Sequence, residues 1–411
     1  MNTILYKVPL IIKNNSKSKN NFELEEIKFS ILPPLSVYIH FPWCEKKCPY
    51  CDFNSHDANT IDEENYLIAL EYDLIATLPL IWGRRIYSVF IGGGTPSLIS
   101  VNGMKKIMQM LNNLLPMHTC QEITMEANPG STDSEKFQAF ADLGINRISL
   151  GIQSFNDKHL KSLGRIHNNY QAQNAIEIAQ KYFSNINLDL MFALPEQTLN
   201  QCLEDLSKAI SFDTNHLSYY HLTLEPNTYF AKYPPNIPDN DSAFDMHDLV
   251  IQTLDNNNYN RYEISAYSKK NYESKHNLNY WNFGDYIGIG AGAHGKISFS
   301  DKIIRYVKHK HPKTYISQAI NLIDAQKGRH IIEEKRLTAK ELPFEYMLNS
   351  LRLINGSSIQ NFISNTSLGY HYIDEQINLA QQKNLLEVKN NIIRPSKLGL
   401  CFLNDLQMLF L

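Results

Sequence analysis

Trp43-Cys44-Glu45-Lys46-Lys47-Cys48-Pro49-Tyr50-Cys51 sets three cysteines in the spacing C-x3-C-x2-C. The stretch follows directly on an apolar run, Leu35–Phe41, that reads as a strand. Three thiolates on one loop after a strand suit a soft metal centre. Their number is informative. A structural zinc site closes with four protein ligands, and a [4Fe–4S] cluster has four irons, usually held by four cysteines. Three cysteines leave one position for another ligand. From spacing alone two readings stay open: an iron–sulfur cluster, or a zinc site completed by His40 or His56. Three unrelated buried thiols are the bland alternative, opposed by the crowding of half of the six cysteines into these eight residues.

Downstream of this loop the chain repeats. Strand-like runs at 35–41, 86–91, 121–126, 147–152, 187–192 and 216–222 alternate with helix-like segments at 62–81, 101–115, 133–143, 170–182, 199–210 and 242–256. Such alternation is the mark of parallel βα units. The strands are nearly continuous apolar runs, as when both sheet faces are covered. A closed TIM barrel takes eight units, so six predict an α/β fold with a partial (β/α)6 TIM-like barrel over 34–258. A variable leader is expected at 1–33, a connecting segment at 259–335, and a C-terminal module at 336–411. In that module helices precede a short hairpin turning at Asn390-Asn391, the outline of an α+β winged-helix-like domain. The module is not strongly basic and the formal net charge is −3, which argues against a nucleic-acid partner.

No uninterrupted apolar stretch is long enough to span a bilayer, so any membrane contact is expected to be peripheral. Met1–Leu10 is broken by Lys7 and Pro9 and does not read as a signal peptide. Six cysteines in 411 residues make no disulfide framework. Cys120, Cys202 and Cys401 lie in apolar surroundings and read as buried reduced thiols, consistent with a cytoplasmic protein.

Ligands of parallel α/β folds sit at the carboxyl ends of the strands. After the first strand come the cysteines; after the second, Gly92-Gly93-Gly94-Thr95; after the third, Glu126; after the fourth, Gln153 and Ser154. The fifth strand carries Asp189 and the sixth ends at His221. Taken singly, each has a bland reading: a tight turn, a helix cap, a satisfied buried carboxylate. Their recurrence at one rim points to a site. Glycines admit a ligand close to the backbone, a carboxylate accepts ribose hydroxyls, and Arg165, in Leu163-Gly164-Arg165-Ile166-His167, suits a ligand carboxylate.

This constellation resembles the radical S-adenosylmethionine superfamily, whose hallmark is C-x3-C-x2-C with an aromatic, here Tyr50, before the third cysteine. The resemblance implies a [4Fe–4S] cluster on Cys44, Cys48 and Cys51. S-adenosylmethionine would take the open iron and be cleaved to a 5′-deoxyadenosyl radical. Tyr38-Ile39-His40-Phe41-Pro42, Gly92-Gly-Gly-Thr-Pro96, Gln153-Ser154-Phe155, Leu163-Gly-Arg165-x-His167 and Asp189-Leu-Met-Phe-Ala-Leu-Pro195 more closely resemble the oxygen-independent coproporphyrinogen III oxidase family, over roughly residues 35–400. By that resemblance Tyr38, Tyr50, Gly93 and Glu126 would touch the cluster-bound S-adenosylmethionine. Gly94, Thr95, Gln153, Arg165, Asp189 and Tyr220 would match a second such site.

Two departures bear on the sub-family. The oxidases carry a fourth cysteine two residues after the third, where this chain has Phe53. Cys48-Pro-Tyr-Cys-Asp-Phe-Asn-Ser55 instead resembles the HemW-type heme chaperones, as does His276-Asn277-Leu278-Asn279-Tyr280-Trp281, which matches the H-N-x-x-Y-W segment associated with heme. The expectation from that resemblance is therefore a protein that binds heme and transfers it to an acceptor hemoprotein, a respiratory one, and that leans away from being an enzyme. The alternatives are a coproporphyrinogen III oxidase and a cluster-containing scaffold without radical chemistry. His276 is the first heme candidate, with His221 and His294 behind it.

Overall fold

The computed structural model describes residues 27–320 and 330–411. Most of the leader expected at 1–33 lies outside the described residues. Six parallel strands form the centre: β1 (Leu35–Phe41), then, past a two-residue pair of β2 (Trp43–Cys44) and β3 (His56–Asp57), β4 (Ile86–Gly93), β5 (Glu122–Ala127), β6 (Arg147–Gln153), β7 (Ile186–Phe192) and β8 (His216–His221). Each is followed by helix on the outer face. Helix starts are locally encoded. Asp62, Ser100 and Asp133 accept from the first-turn amides of their helices, and Asn168 and Thr198 form reciprocal capping boxes with Gln171 and Gln201. The cap of helix Ser134–Asp142 is Asp133.

The sheet runs well beyond six strands. β9 (Asn260–Glu263), β10 (Ala266–Ser268), β11 (Asp285–Ile289), β12 (His294–Ser298), β13 (Ile303–Lys308) and β14 (Ile331–Arg336) extend it to twelve, in the order β14-β13-β12-β11-β1-β4-β5-β6-β7-β8-β10-β9. β11 is a seventh parallel strand, on the far side of β1. The others are antiparallel additions at the two open edges. The stretch expected as a connector, 259–335, therefore carries the six added strands. Its polar, basic look has a physical explanation. Lys308 is fully buried and paired with Asp73 from the first barrel helix at 2.6 Å, and Lys296 is buried against Asp285 at 2.9 Å. Arg84 joins the second pair at 2.8 Å.

Alternation along each strand sorts the side chains. Val37, Ile39, Val89, Ile91, Met125, Ile148 and Leu188 face the helices and form the main apolar core. Their neighbours Ser36, Tyr38, Ser88, Thr124, Glu126, Ser149, Asn187 and Asp189 face inward, so the barrel has a polar lumen. A second apolar cluster, built on Leu342, Tyr346, Phe362, Ile377 and Leu406, reaches Phe283 and Ile303 of the barrel extension. It organises the C-terminal helices and a three-stranded antiparallel sheet of 357–358, 386–389 and 392–395. Of the three scattered thiols only Cys202 is buried; Cys120 is half-buried and Cys401, on a short terminal helix, is exposed.

Candidate functional site

The cysteine loop leaves the carboxyl end of β1 and is pinned by residues outside the motif. Asn54 donates to the carbonyls of Ala291 and Lys310, both at 2.9 Å, tying the loop to the sheet extension. His40 Nε2 donates to the Asn54 carbonyl at 2.8 Å, so its Nδ1 accepts from Tyr38 Oη at 2.9 Å. Burial pushes the imidazole down to about 4, so it stays neutral. With both ring nitrogens engaged, His40 holds the loop and has no free lone pair to complete a zinc site.

Cys44, Cys48 and Cys51 are half-buried and free. Burial pushes the Cys51 thiol up to about 12, with Cys48 and Cys44 adding to the rise. Burial also raises Cys44, against hydrogen bonds from Thr95 and Ser55. Arg165 Nη1 points at Cys48 Sγ from 3.7 Å, and its Nη2 donates to the Gly151 carbonyl at 2.8 Å. Among the described residues no three His, Cys, Asp or Glu side chains converge tightly enough to hold a single ion. A tetrahedral zinc would draw its sulfurs to roughly 3.8 Å of one another. A cluster needs no such convergence, because each thiolate binds its own iron.

The rest of the rim assembles around this loop. Gly93 has φ +119° and donates to Glu126 Oε2 at 3.0 Å. A Cβ on Gly93 would strike His40, and one on Gly94 would strike the Trp43 backbone at 2.4 Å. The glycine run is thus spent on close approach to the β1 end and the cysteine loop as well as on any ligand. Thr95 is buried, and its amide donates to the Trp43 carbonyl at 2.7 Å. Burial, reinforced by Asp189, holds the Glu126 carboxyl up at about 7. Gln153 ends β6 in the left-handed region, φ +67°, beside a register shift in the β6–β7 pairing. Asp189 accepts from Ser149 Oγ at 2.7 Å and Asn187 Nδ2 at 2.9 Å. Tyr50 and Tyr220 pack with Phe230, Leu222 and Met191 into a small apolar wall beside the loop. Asn54, Ser149 and Asn187 escaped the sequence reading because they act through partners distant in the chain; only their rim position could have flagged them.

The H-N-x-x-Y-W segment lies elsewhere. It forms the helix Lys275–Trp281, which plugs the opposite, amino-terminal end of the barrel. Its first turn rests on Glu122, the first residue of β5, which accepts from the amides of Lys275 and His276 at 3.0 Å each. His276 is fully buried. Its Nδ1 meets Ser88 Oγ and its Nε2 meets Tyr280 Oη, both at 3.0 Å, while burial, reinforced by Arg147, lowers it to about 3. In this conformation it offers no free ring nitrogen to a heme iron. His221 is exposed at the rim, but its ring stacks on Phe192 toward His247 of the outer helix Asn240–Asn256. His294 is half-buried on β12 and pushed down to about 4, chiefly by burial.

Comparison with known proteins agrees with this geometry. Residues 38–209 match the Radical SAM superfamily. The solved structure of the Escherichia coli coproporphyrinogen III oxidase HemN superposes with a TM-score of 0.78 at 21% identity, covering 92% of this chain and 90% of that one. This is a radical S-adenosylmethionine protein, on an α/β, TIM-like core. Within that class, the chain is 44% identical over 387 residues to the heme chaperone HemW of Haemophilus influenzae, covering 92% of this chain and 98% of that protein. Identity to the Escherichia coli HemW is 42% over 383 residues, with 92% and 99% covered. The chain belongs to the HemW heme chaperone family.

Membership implies a [4Fe–4S] cluster and S-adenosylmethionine, and the residues present fit them. Three half-buried sulfur donors lie on one loop. Thiols raised as Cys51 is are protonated at neutral pH, and coordination to iron is what would ionise them. Glu126 and the lumen beneath it offer oxygen acceptors, and Arg165 keeps an unpartnered buried Nε beside the loop.

Proposed function

We propose that this chain binds heme and hands it to an acceptor hemoprotein. The observation that carries the reading is identity of 42–44% to heme chaperones across nearly the whole of both chains. Phe53 supports it, since the oxidases carry a cysteine at that position. In this reading the acceptor is a respiratory hemoprotein, met in the cytoplasm or at the membrane surface. No helix among the described residues is long and apolar enough to cross a bilayer, so that contact is peripheral.

Cys44, Cys48 and Cys51 would hold the [4Fe–4S] cluster, with S-adenosylmethionine bound beside it. Bound there, the pair supplies one-electron cleavage of the sulfonium. The chain's own part is placement. Tyr38 packs between His40 and Phe90, and its ring and the Gly93 backbone flank the ligand. Glu126 accepts hydroxyls, and Tyr50 closes the wall by Phe230. Gly94, Thr95, Gln153, Arg165 and Asp189 line the adjoining space, where a second ligand would sit. His276 contacts heme only if the helix Lys275–Trp281 swings out of the floor.

The test is anaerobic reconstitution of the cluster followed by two assays. One supplies coproporphyrinogen III with S-adenosylmethionine, the other hemin and an apo-hemoprotein. Stoichiometric hemin binding and transfer, without turnover of the porphyrinogen, is the expected result. Catalytic formation of protoporphyrinogen would replace this reading with the oxidase.

A further inference from the structure

β6 ends in a kink. Ser154 N donates to the Ile152 carbonyl at 2.9 Å across Gln153, whose φ is +67°. An i→i+2 bond around a residue of positive φ is the rarer, strained form of the γ-turn. β6 slips its register against β7 at the same point. A non-glycine residue keeps such a conformation only where its surroundings impose it, and strain of this kind clusters at functional sites. The surroundings here are specific. Arg165 Nη2 donates to the Gly151 carbonyl at 2.8 Å, and His167 Nε2 donates to the Ile152 carbonyl at 3.1 Å. Beyond the kink, Asp205 of the helix Leu199–Ser211 accepts from Ser154 Oγ at 2.6 Å and from the Phe155 amide at 2.7 Å. Asp205 is 3% exposed. Burial pushes its carboxyl up to about 6 against those two hydrogen bonds, so at neutral pH it is ionised and accepts both. A buried carboxylate is costly to keep, and both of its bonds go to the kink.

The clamp leaves Gln153 itself free. Its side-chain amide makes no hydrogen bond to another described residue. A Cβ on Gly151 would meet Gln153 Nε2 at 3.2 Å and Arg165 Nη2 at 3.4 Å, so the amide is set over Gly151 beside the guanidinium. Arg165 Nη1 in turn reaches Cys48 Sγ at 3.7 Å. A change of φ at Gln153 would re-aim its Cα–Cβ bond, so the side chain keeps this place only while the kink holds.

We propose that Asp205 is a positioning residue: through Ser154 and Phe155 it holds the strained kink that sets the Gln153 amide beside Arg165, where S-adenosylmethionine at the rim takes it as a hydrogen-bond partner. The proposal rests on the reading above that Gln153 lines the ligand space; the kink and its clamp rest on the geometry alone. Asp205 acts from the helix behind the sheet and touches no ligand itself.

The experiment is a double-mutant cycle on S-adenosylmethionine affinity, measured by equilibrium dialysis on the full-length reconstituted protein with the iron content of each variant matched. Gln153→Ala should weaken binding roughly tenfold, the range of one lost hydrogen bond. Asp205→Ala should weaken it by a similar factor. Asp205→Asn, which keeps an acceptor for the Phe155 amide, should recover most of that loss. In the Gln153→Ala background, Asp205→Ala should cost no more than about a further twofold, because the group it positions is already gone. A double variant weakened by the product of the two single losses overturns the proposal, as does wild-type affinity in Asp205→Ala; both results leave Gln153 a ligand residue. Wild-type affinity in Gln153→Ala overturns the ligand reading of Gln153 and this proposal with it. If Asp205→Ala does not fold, Ser154→Ala takes its place in the cycle with an expected loss of a few-fold, and wild-type affinity there overturns the proposal.

Discussion

The two ends of the barrel are built to opposite specifications. At the amino-terminal floor, the helix Lys275–Trp281 closes the lumen with His276, Asn279 and Tyr280 hydrogen-bonded, while Asn277 Oδ1 and Trp281 Nε1 are buried without partners. His276 bridges Ser88 and Tyr280, and Glu122 caps the helix start. At the carboxyl rim, three thiols, a carboxyl held up at about 7 and a half-satisfied arginine stand together. A fully satisfied polar cluster rigidifies, whereas an unpaired buried polar group is costly. The contrast separates two motifs that look equally functional on paper. C-x3-C-x2-C lies on a half-buried loop at the carboxyl rim, and H-N-x-x-Y-W lies on a buried helix at the floor.

Substitutions at the two ends should therefore fail differently. Cys48→Ser should abolish the cluster outright, seen as loss of bound iron and of the visible absorbance after reconstitution, with the fold retained by circular dichroism. His276→Ala should do the reverse, leaving the cluster and S-adenosylmethionine binding intact. It should cost about 2–4 kcal/mol of stability in urea, because it opens a buried cavity and orphans two hydroxyls. A His276→Ala protein of wild-type stability would sink the floor assignment.

Smaller effects probe each end in turn. Glu126 loses its proton as pH rises through about 7, and the carboxylate is the better acceptor for ligand hydroxyls. S-adenosylmethionine affinity should rise from pH 6 to 8, and Glu126→Gln should bind about tenfold more weakly with a flat profile. For the floor the sign is that of a depressed base. His276 is neutral in the fold down to about 3, whereas the unfolded chain protonates it below 6.5. Stability should be full above about pH 6.5 and fall on acidification, by about 1.4 kcal/mol per pH unit for this one group. His276→Asn should show a shallower slope in urea melts at pH 7, 6 and 5.

Much of the barrel was legible in advance because its signals are local. The six strand–helix units fall within a residue or two of expectation, since apolar runs and capping residues such as Asp62 and Ser100 act over a few positions. The sheet extension was not legible. Residues 300–330 carry lysines and histidines that look solvated in sequence, yet Lys308 is buried because Asp73, 235 positions away, neutralises it. No local pattern records that pairing.

By itself, then, the order of residues determined the cysteine spacing, the βα rhythm and the absence of a fourth cysteine at Phe53, all of which depend on neighbours in the chain. Only the tertiary structure decided which end of the barrel each motif occupies. It also decided which polar groups find partners across it. Hydrogen bonds and buried charges are satisfied in space, and the same histidine or arginine is a ligand site or a structural strut according to what the fold places beside it.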